Sequence, residues 1–177
     1  NFIVSKLANK DVTVALSGDG GDELFGGYSR YDHINRIWKN INYFPLITRN
    51  LISKILKYPL KEKSIYTKYR SETLTNLSKK IISGTNLIES ETIHKLYLHV
   101  ITQIPFPEEV VHGGYLKETK LDNLKPNFGD ISNLEKMMAT DTINYLPDDI
   151  LTKVDRAAMK TSLETRVPFL DHNIVEF

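Results

Sequence analysis

Seven consecutive residues, Ser17-Gly18-Asp19-Gly20-Gly21-Asp22-Glu23, concentrate the chemistry of this chain. Glycines permit positive φ angles and a close approach of backbone to ligand. Their amide groups can then point at phosphate oxygens. Asp19, Asp22 and Glu23 place three carboxylates within five residues. A carboxylate beside a phosphate needs a cation between them. Magnesium suits this, because it takes oxygen ligands from one or two carboxylates together with the phosphates. The plainer reading of the same residues is a solvated acidic turn that opens a helix, with Asp22 and Glu23 favoured in its first turn by the helix dipole.

The spacing excludes two common nucleotide loops. No Gly-Lys-Ser/Thr follows the glycines, so this is not a Walker A loop, and the glycine spacing is not that of a dinucleotide fingerprint. Gly20-Gly21-Asp22-Glu23-Leu24 stands one residue from the signature of the diguanylate cyclases. Gly26-Gly27-Tyr28 follows at once, however, and the remainder is not rich in strands.

A second group lies near the other end, in Glu164-Thr165-Arg166-Val167-Pro168-Phe169-Leu170-Asp171. Arg166 to Asp171 reads as a tight extended segment, because Pro168 restricts Val167 to extended geometry. Glu164 and Arg166 are two apart in extended chain, so their side chains share a face. A partly buried ion pair that braces the site is the expectation for them. Similar bracing contacts are expected of Asp155 and Arg156, and a solvated helix face for Lys153. His33, His94, His99, His112 and His172 show no metal-ligand spacing and receive no role.

The elements that position these groups follow from periodicity. Asn1 to Ala8 has helical spacing, and Asn9-Lys10-Asp11 is a turn. Val12 to Leu16, short and rich in β-branched residues, predicts a buried strand of a parallel sheet leading into the glycine loop. Strand, glycine loop and helix in succession is the arrangement with which α/β proteins bind nucleotides. Leu24 to Tyr28 opens the following helix, and another covers Tyr31 to Lys39. Helical patches recur at Leu46 to Leu56 and Ile93 to Gln103, punctuated by Pro45, Pro59, Pro105, Pro107 and Pro126. Ser132 with Glu135 matches a capping box. It precedes an apolar face of Leu134, Met137, Met138 and Ile143. Pro147 fits the first turn of the next helix, with Asp148 and Asp149 beside it. Ile150, Leu151, Val154, Ala157 and Ala158 form that helix's buried stripe.

Composition sets the bounds. A chain of 177 residues with 41% hydrophobic and 25% charged side chains is an ordinary globular mixture. The net charge of +1 gives no electrostatic reason to expect a nucleic-acid partner. The chain has no cysteine, hence no disulfide and no thiolate metal site. No apolar run reaches the length of a membrane-spanning helix, so no membrane partner is expected. A cytoplasmic protein is the expectation. Both ends read as cut from a larger protein, and no signal peptide is expected at Asn1.

VALSGDGGDELFGGYSRY resembles the second nucleotide-site motif in the synthetase domain of the glutamine-dependent asparagine synthetases. YLPDDILTKVDRAAMKTSLETRVPFLDHNIVEF resembles a downstream segment of the same domain. The motifs stand in the family's order around a variable helical region and argue against the cyclase reading. The resemblance implies an α/β domain of the ATP-pyrophosphatase type, built on a parallel sheet, of which this stretch is a mostly helical part. It divides the chain into a nucleotide-loop segment (1–40), a variable helical region (41–131) and a helical segment ending in the ETRVPFLD motif (132–177).

The resemblance also implies the chemistry. A carboxylate, aspartate or a sugar acid, is adenylated by ATP with magnesium. Ammonia from a separate glutaminase domain then displaces AMP to form the amide. Ser17 and Gly18 match nucleotide-contacting positions, Asp22 a magnesium-binding one, and Asp19 an acidic position near the acceptor and the ammonia. Position 19 is Glu in the best-known relatives, which leaves the acceptor open. Glu23, Glu164 and Arg166 fall to structural support. The family's Ser-Gly-Gly-x-Asp-Ser loop, its downstream lysine and its glutaminase domain do not occur in this stretch, which is therefore expected to be inactive alone. Related amidotransferases of surface-polysaccharide synthesis and β-lactam-synthetase-like ligases are alternatives. A non-catalytic remnant that binds nucleotide or a partner is the alternative of another class.

Overall fold

Strand β1 (Val14–Leu16) pairs in parallel with β2 (Glu164–Arg166), matching Val14 to Glu164, Ala15 to Thr165 and Leu16 to Arg166. In the computed structural model, which describes residues 1–61, 72–104, 110–113, 115 and 130–177, all other regular structure is helical. The α-helices are α1 (Phe2–Ala8), α2 (Gly21–Phe25), α3 (Ser29–Asn42), α4 (Leu46–Lys61), α5 (Glu72–Ile88), α6 (Ile93–Ile101), α7 (Asn133–Ile143), α8 (Thr152–Met159) and α9 (His172–Val175). A π-helical segment, Leu146–Leu151, leads into α8, and a 3₁₀ turn, Pro168–Leu170, follows β2. The chain is thus a mostly helical α/β protein with a small parallel sheet. Among the described residues no helix is long and apolar enough to cross a membrane.

The chain divides into two compact units. One is formed by residues 1–31 and the described residues from 130 onward, the other by the described residues between 32 and 118. The first holds both strands and both motifs. Its buried residues include Tyr31, Met137, Leu146, Ala158 and Leu163. α2 packs on α7, and α8 packs on α1 and β2.

Several local expectations hold. α7 starts at a complete capping box: the Glu135 amide donates to Ser132 Oγ at 3.2 Å, and the Ser132 amide donates to Glu135 at 2.6 Å. Hydrogen bonding with Ser132, through its side chain first and its backbone amide second, holds the Glu135 carboxyl below its ordinary range. Pro147 sits at the start of its helix, although that turn is π-helical.

Others need correction. β1 is parallel but not buried: Val14 and Leu16 share a face and are 48% and 76% exposed. A strand's burial depends on the layers packed against it, and among the described residues nothing covers that face. α2 begins at Gly21 rather than Leu24 and ends at Phe25, because Gly26 at φ 72° terminates it in the left-handed region. α4 runs through Pro59 to Lys61, so that proline lies in its last turn instead of ending it. Pro105, Pro107 and Pro126 lie outside the described residues. Of the stripe in 150–158 only Ala158 is fully buried, and the rest are half-buried. Pro168 starts a 3₁₀ turn where extended chain was expected.

The second unit contains an inverted helix. α4 buries Arg49, 4% exposed, and Ser53, 0% exposed, while Ile47, Leu51, Ile55 and Tyr58 lie on its open face. Arg49 donates to the carbonyls of Phe44, Ile88 and Ser90 at 3.1, 3.1 and 2.8 Å, which caps the end of α5. Lys57 and Ser53 donate to Glu89 at 2.7 and 2.6 Å. Burial pushes the Glu89 carboxyl up, but those two hydrogen bonds outweigh it and leave it below the ordinary range.

Candidate functional site

The parallel pairing brings the two motifs together. The Glu164 amide donates to the Thr13 carbonyl at 2.9 Å and the Ser17 amide to the Arg166 carbonyl at 2.8 Å. The glycine loop and the segment after β2 therefore leave the sheet at the same carboxyl edge. Ligands of open α/β sheets bind outside that edge.

Phe169 and Leu170 lie on the glycines. A Cβ on Gly20, where φ is 84°, would fall 2.6 Å from Leu170 Cδ2, and one on Gly21 would fall 3.2 Å from Phe169 Cδ2. Phe169 also meets Phe25 edge to face at 5.8 Å between ring centroids. A side chain at Gly20 would have to displace Leu170 and adopt a left-handed backbone, and one at Gly21 would need Phe169 to give by a few tenths of an ångström. Packing between the motifs thus favours glycine here, in addition to the phosphate approach read from the sequence. The Gly21 amide donates to the Gly18 carbonyl at 3.3 Å. Gly18 is exposed, and Phe169 only reaches ordinary contact distance, 3.9 Å, from a Cβ there.

The acidic residues fall into different environments. Asp19 is half-buried, and the Ser17 hydroxyl donates to its Oδ2 at 2.5 Å. Asp22 is exposed, with its carboxylate folded over Gly27, where an added Cβ would fall 2.0 Å from Asp22 Oδ1. Glu23 is 1% exposed and accepts a hydrogen bond from the Tyr28 hydroxyl. Burial, reinforced by Glu23, raises the Tyr28 pKa well above that of an ordinary phenol. Glu23 is therefore a buried anchor of α2 and does not face solvent with Asp22.

Around Tyr28 stands a group that sequence reasoning did not single out. The Arg30 guanidinium lies 4.1 Å from the centroid of Tyr28 and 4.9 Å from that of Tyr145. Its Nη2 pairs with Asp141 Oδ2 at 2.5 Å, and the Tyr31 hydroxyl donates to the same oxygen at 2.6 Å. Burial and the bond to Asp141 raise the Tyr31 pKa strongly. Asp141 is fully buried. The signal was legible: Asp141 falls four residues after Met137 and three after Met138, on the apolar face of α7. An acid there demands a buried partner.

In the second motif Arg166 pairs with Glu164 at 2.5 Å, as two residues on one strand face should. The pair is exposed, at 68% and 51%, and not partly buried as expected. Nothing among the described residues covers that face of β2. Lys153 pairs with Asp149 at 2.8 Å on an exposed helix face, which raises its pKa. Asp155 and Arg156 are exposed, and among the described residues neither forms the expected bracing ion pair. A cavity of about 500 Å³ lined by Thr13, Val14, Met159, Ser162, Leu163 and Glu164 opens at the other edge of the strands, away from the acidic loop.

Among the described residues no group of three or more His, Cys, Asp or Glu side chains is placed to hold a metal by itself. A cation that shares one exposed carboxylate with phosphate oxygens needs no such cage, and the exposed Asp22 fits that arrangement.

Comparison with known proteins adds a family. The model described as asparagine synthase matches residues 1–177. Asparagine synthetase [glutamine-hydrolyzing] 1 of Bacillus subtilis is 31% identical over 176 residues, covering 96% of this chain and 25% of that protein. Putative asparagine synthetase 2 of Methanocaldococcus jannaschii is 34% identical over 174 residues, covering 95% of this chain and 30% of that protein. A putative asparagine synthetase of Mycobacterium tuberculosis is 31% identical over 176 residues, covering 98% and 24%. The chain thus spans about a quarter of the length of such relatives. No solved structure matches.

Proposed function

Because this chain belongs to the asparagine synthase family, we propose that it supplies part of the nucleotide site of an ATP-dependent, amide-forming ligase. The observation that supports this best is the meeting of two motif loops at the carboxyl ends of adjoining parallel strands, one of them carrying Asp19 and Asp22. Ser17 and Gly18 contact the nucleotide in this reading, and Gly18 is open to do so.

An oxygen of the carboxylate substrate attacks the α-phosphorus of ATP. The bond to pyrophosphate breaks, leaving an acyl-adenylate. Ammonia, supplied from glutamine by a separate domain, then attacks the acyl carbon, and the bond to AMP breaks. The surplus proton on nitrogen passes to Asp19. The Ser17 hydroxyl fixes one oxygen of that carboxylate and so orients the other. Magnesium, when bound, neutralises charge that develops on pyrophosphate. Asp22 is the residue that would hold it.

Glu23 supports α2 from within, and Glu164 with Arg166 stiffens the neighbouring strand at its surface. The acceptor in this reading is a small carboxylate, aspartate or a sugar acid. The complete protein, given ATP, aspartate and ammonia, should release AMP and pyrophosphate in amounts equal to the amide. Release of ADP and phosphate would contradict the reading.

A further inference from the structure

We infer that Arg30 and Asp141 are positioning residues that aim the acidic glycine loop, acting through Tyr28 and Glu23. What the loop does rests on the ligase reading above; the contacts do not.

α2, which carries Asp22, has five residues. A helix so short has no stability of its own in water. It is flanked by Gly20 at φ 84° and Gly26 at φ 72°, so nothing in its own backbone fixes its direction. Outside contacts must do so. The Phe25 ring rests on Phe169, and Leu134 and Met138 lie under Gly26. These apolar contacts hold the helix down but have little directional preference. The buried Glu23 is different, because its carboxylate is fixed by the Tyr28 hydroxyl.

Tyr28 is held in turn. Arg30 stacks on its ring and is fixed by the fully buried Asp141, which also takes the Tyr31 hydroxyl. The path Asp141–Arg30–Tyr28–Glu23 therefore runs from α7 to the helix beside the loop acids. A buried ion pair contributes little net stability compared with apolar packing of the same volume. A planar guanidinium that stacks and pairs at once instead defines an orientation, which lysine cannot reproduce.

The test uses the complete protein with Arg30→Lys and two readouts. Hydrogen exchange at the Leu24 and Phe25 amides should accelerate about tenfold or more, while amides of α6 stay unchanged. For ATP–pyrophosphate exchange, kcat should fall about tenfold or more with little change in the KM for ATP. Unchanged α2 amides, or a kcat equal to wild type in an active protein, would overturn the inference. Should Arg30→Lys unfold the protein, Tyr28→Phe removes only the link to Glu23 and leaves the Arg30–Asp141 pair. It must loosen the same amides, and failure to do so overturns the inference. Loosened amides in a protein whose wild type shows no exchange of pyrophosphate would leave the positioning role standing and remove the ligase reading instead.

Discussion

Leu170 occupies the space that a side chain on Gly20 would need, with Cδ2 only 2.6 Å from the Cβ position. The two motifs are thereby one packing unit, and a change in either should be felt in the other. Gly20→Ala meets both this overlap and the cost of φ at 84°, so it should lower stability by about 2 kcal/mol or more. Adding Leu170→Ala removes the overlap but leaves the backbone cost, roughly 1–2 kcal/mol. Denaturant unfolding of the singles and the double checks this. Additive losses would show that Leu170 does not fill the glycine's space.

The inverted helix α4 makes an unusual pair of expectations. Ile47 and Leu51 are 84% and 58% exposed, so Ile47→Lys with Leu51→Lys should change stability by less than about 0.5 kcal/mol each. Arg49→Ala strips one buried and two part-buried carbonyls of their donor and should cost about 2 kcal/mol or more. Urea midpoints decide between this and the usual rule that apolar residues carry the helix. A reversed order would mean that α4 is rotated from the orientation described.

Tyr28 and Tyr31 should resist ionisation. Burial is the main cause for both, with Glu23 and Asp141 adding to it. Each folded phenol holds its proton more tightly than the unfolded one, whose value is 10.0. Above pH 10 the unfolded chain therefore binds fewer protons, and stability falls as pH rises; below pH 10 the contribution is fully present. Tyrosinate absorbance should show at least two of the nine tyrosines titrating only as the protein unfolds. Nine ordinary titrations in the folded protein would contradict the buried network.

The exposed Glu164–Arg166 pair should add no more than about 1 kcal/mol. Glu164→Gln is expected to leave the melting temperature nearly unchanged. Any loss of turnover in the complete protein would then mark Glu164 as a substrate contact instead of a brace. A fall of many degrees would show that the pair supports the fold.

Much of the local architecture was legible. Ser132 and Glu135 form their capping box because all its partners lie within one turn. A parallel strand was marked by the β-branched run Val12 to Leu16 between turns, of which Val14–Leu16 forms the strand. Its exposure was not legible, because burial is set by layers that the strand does not encode. α2 was misplaced for a similar reason: Gly20 and Gly26 bound it through left-handed backbone, and the sequence shows three further glycines close by. Asp141 was marked as a buried acid by its place on the apolar face of α7, but Arg30 as its partner was not legible, because the two lie far apart in sequence. The roles of Asp19 and Asp22 came from resemblance, to which the geometry adds their different exposure.

The proposed function is that of a carboxylate-adenylating enzyme in which Asp22 handles magnesium pyrophosphate. It is tested most directly by ATP–pyrophosphate exchange in the complete protein, wild type beside Asp22→Asn, across a magnesium titration. The account predicts exchange that requires aspartate or a sugar acid in the wild type. In Asp22→Asn it predicts a loss of about a hundredfold, partly restored by excess magnesium. Exchange that needs no carboxylate substrate, or identical magnesium curves for the two proteins, would contradict it.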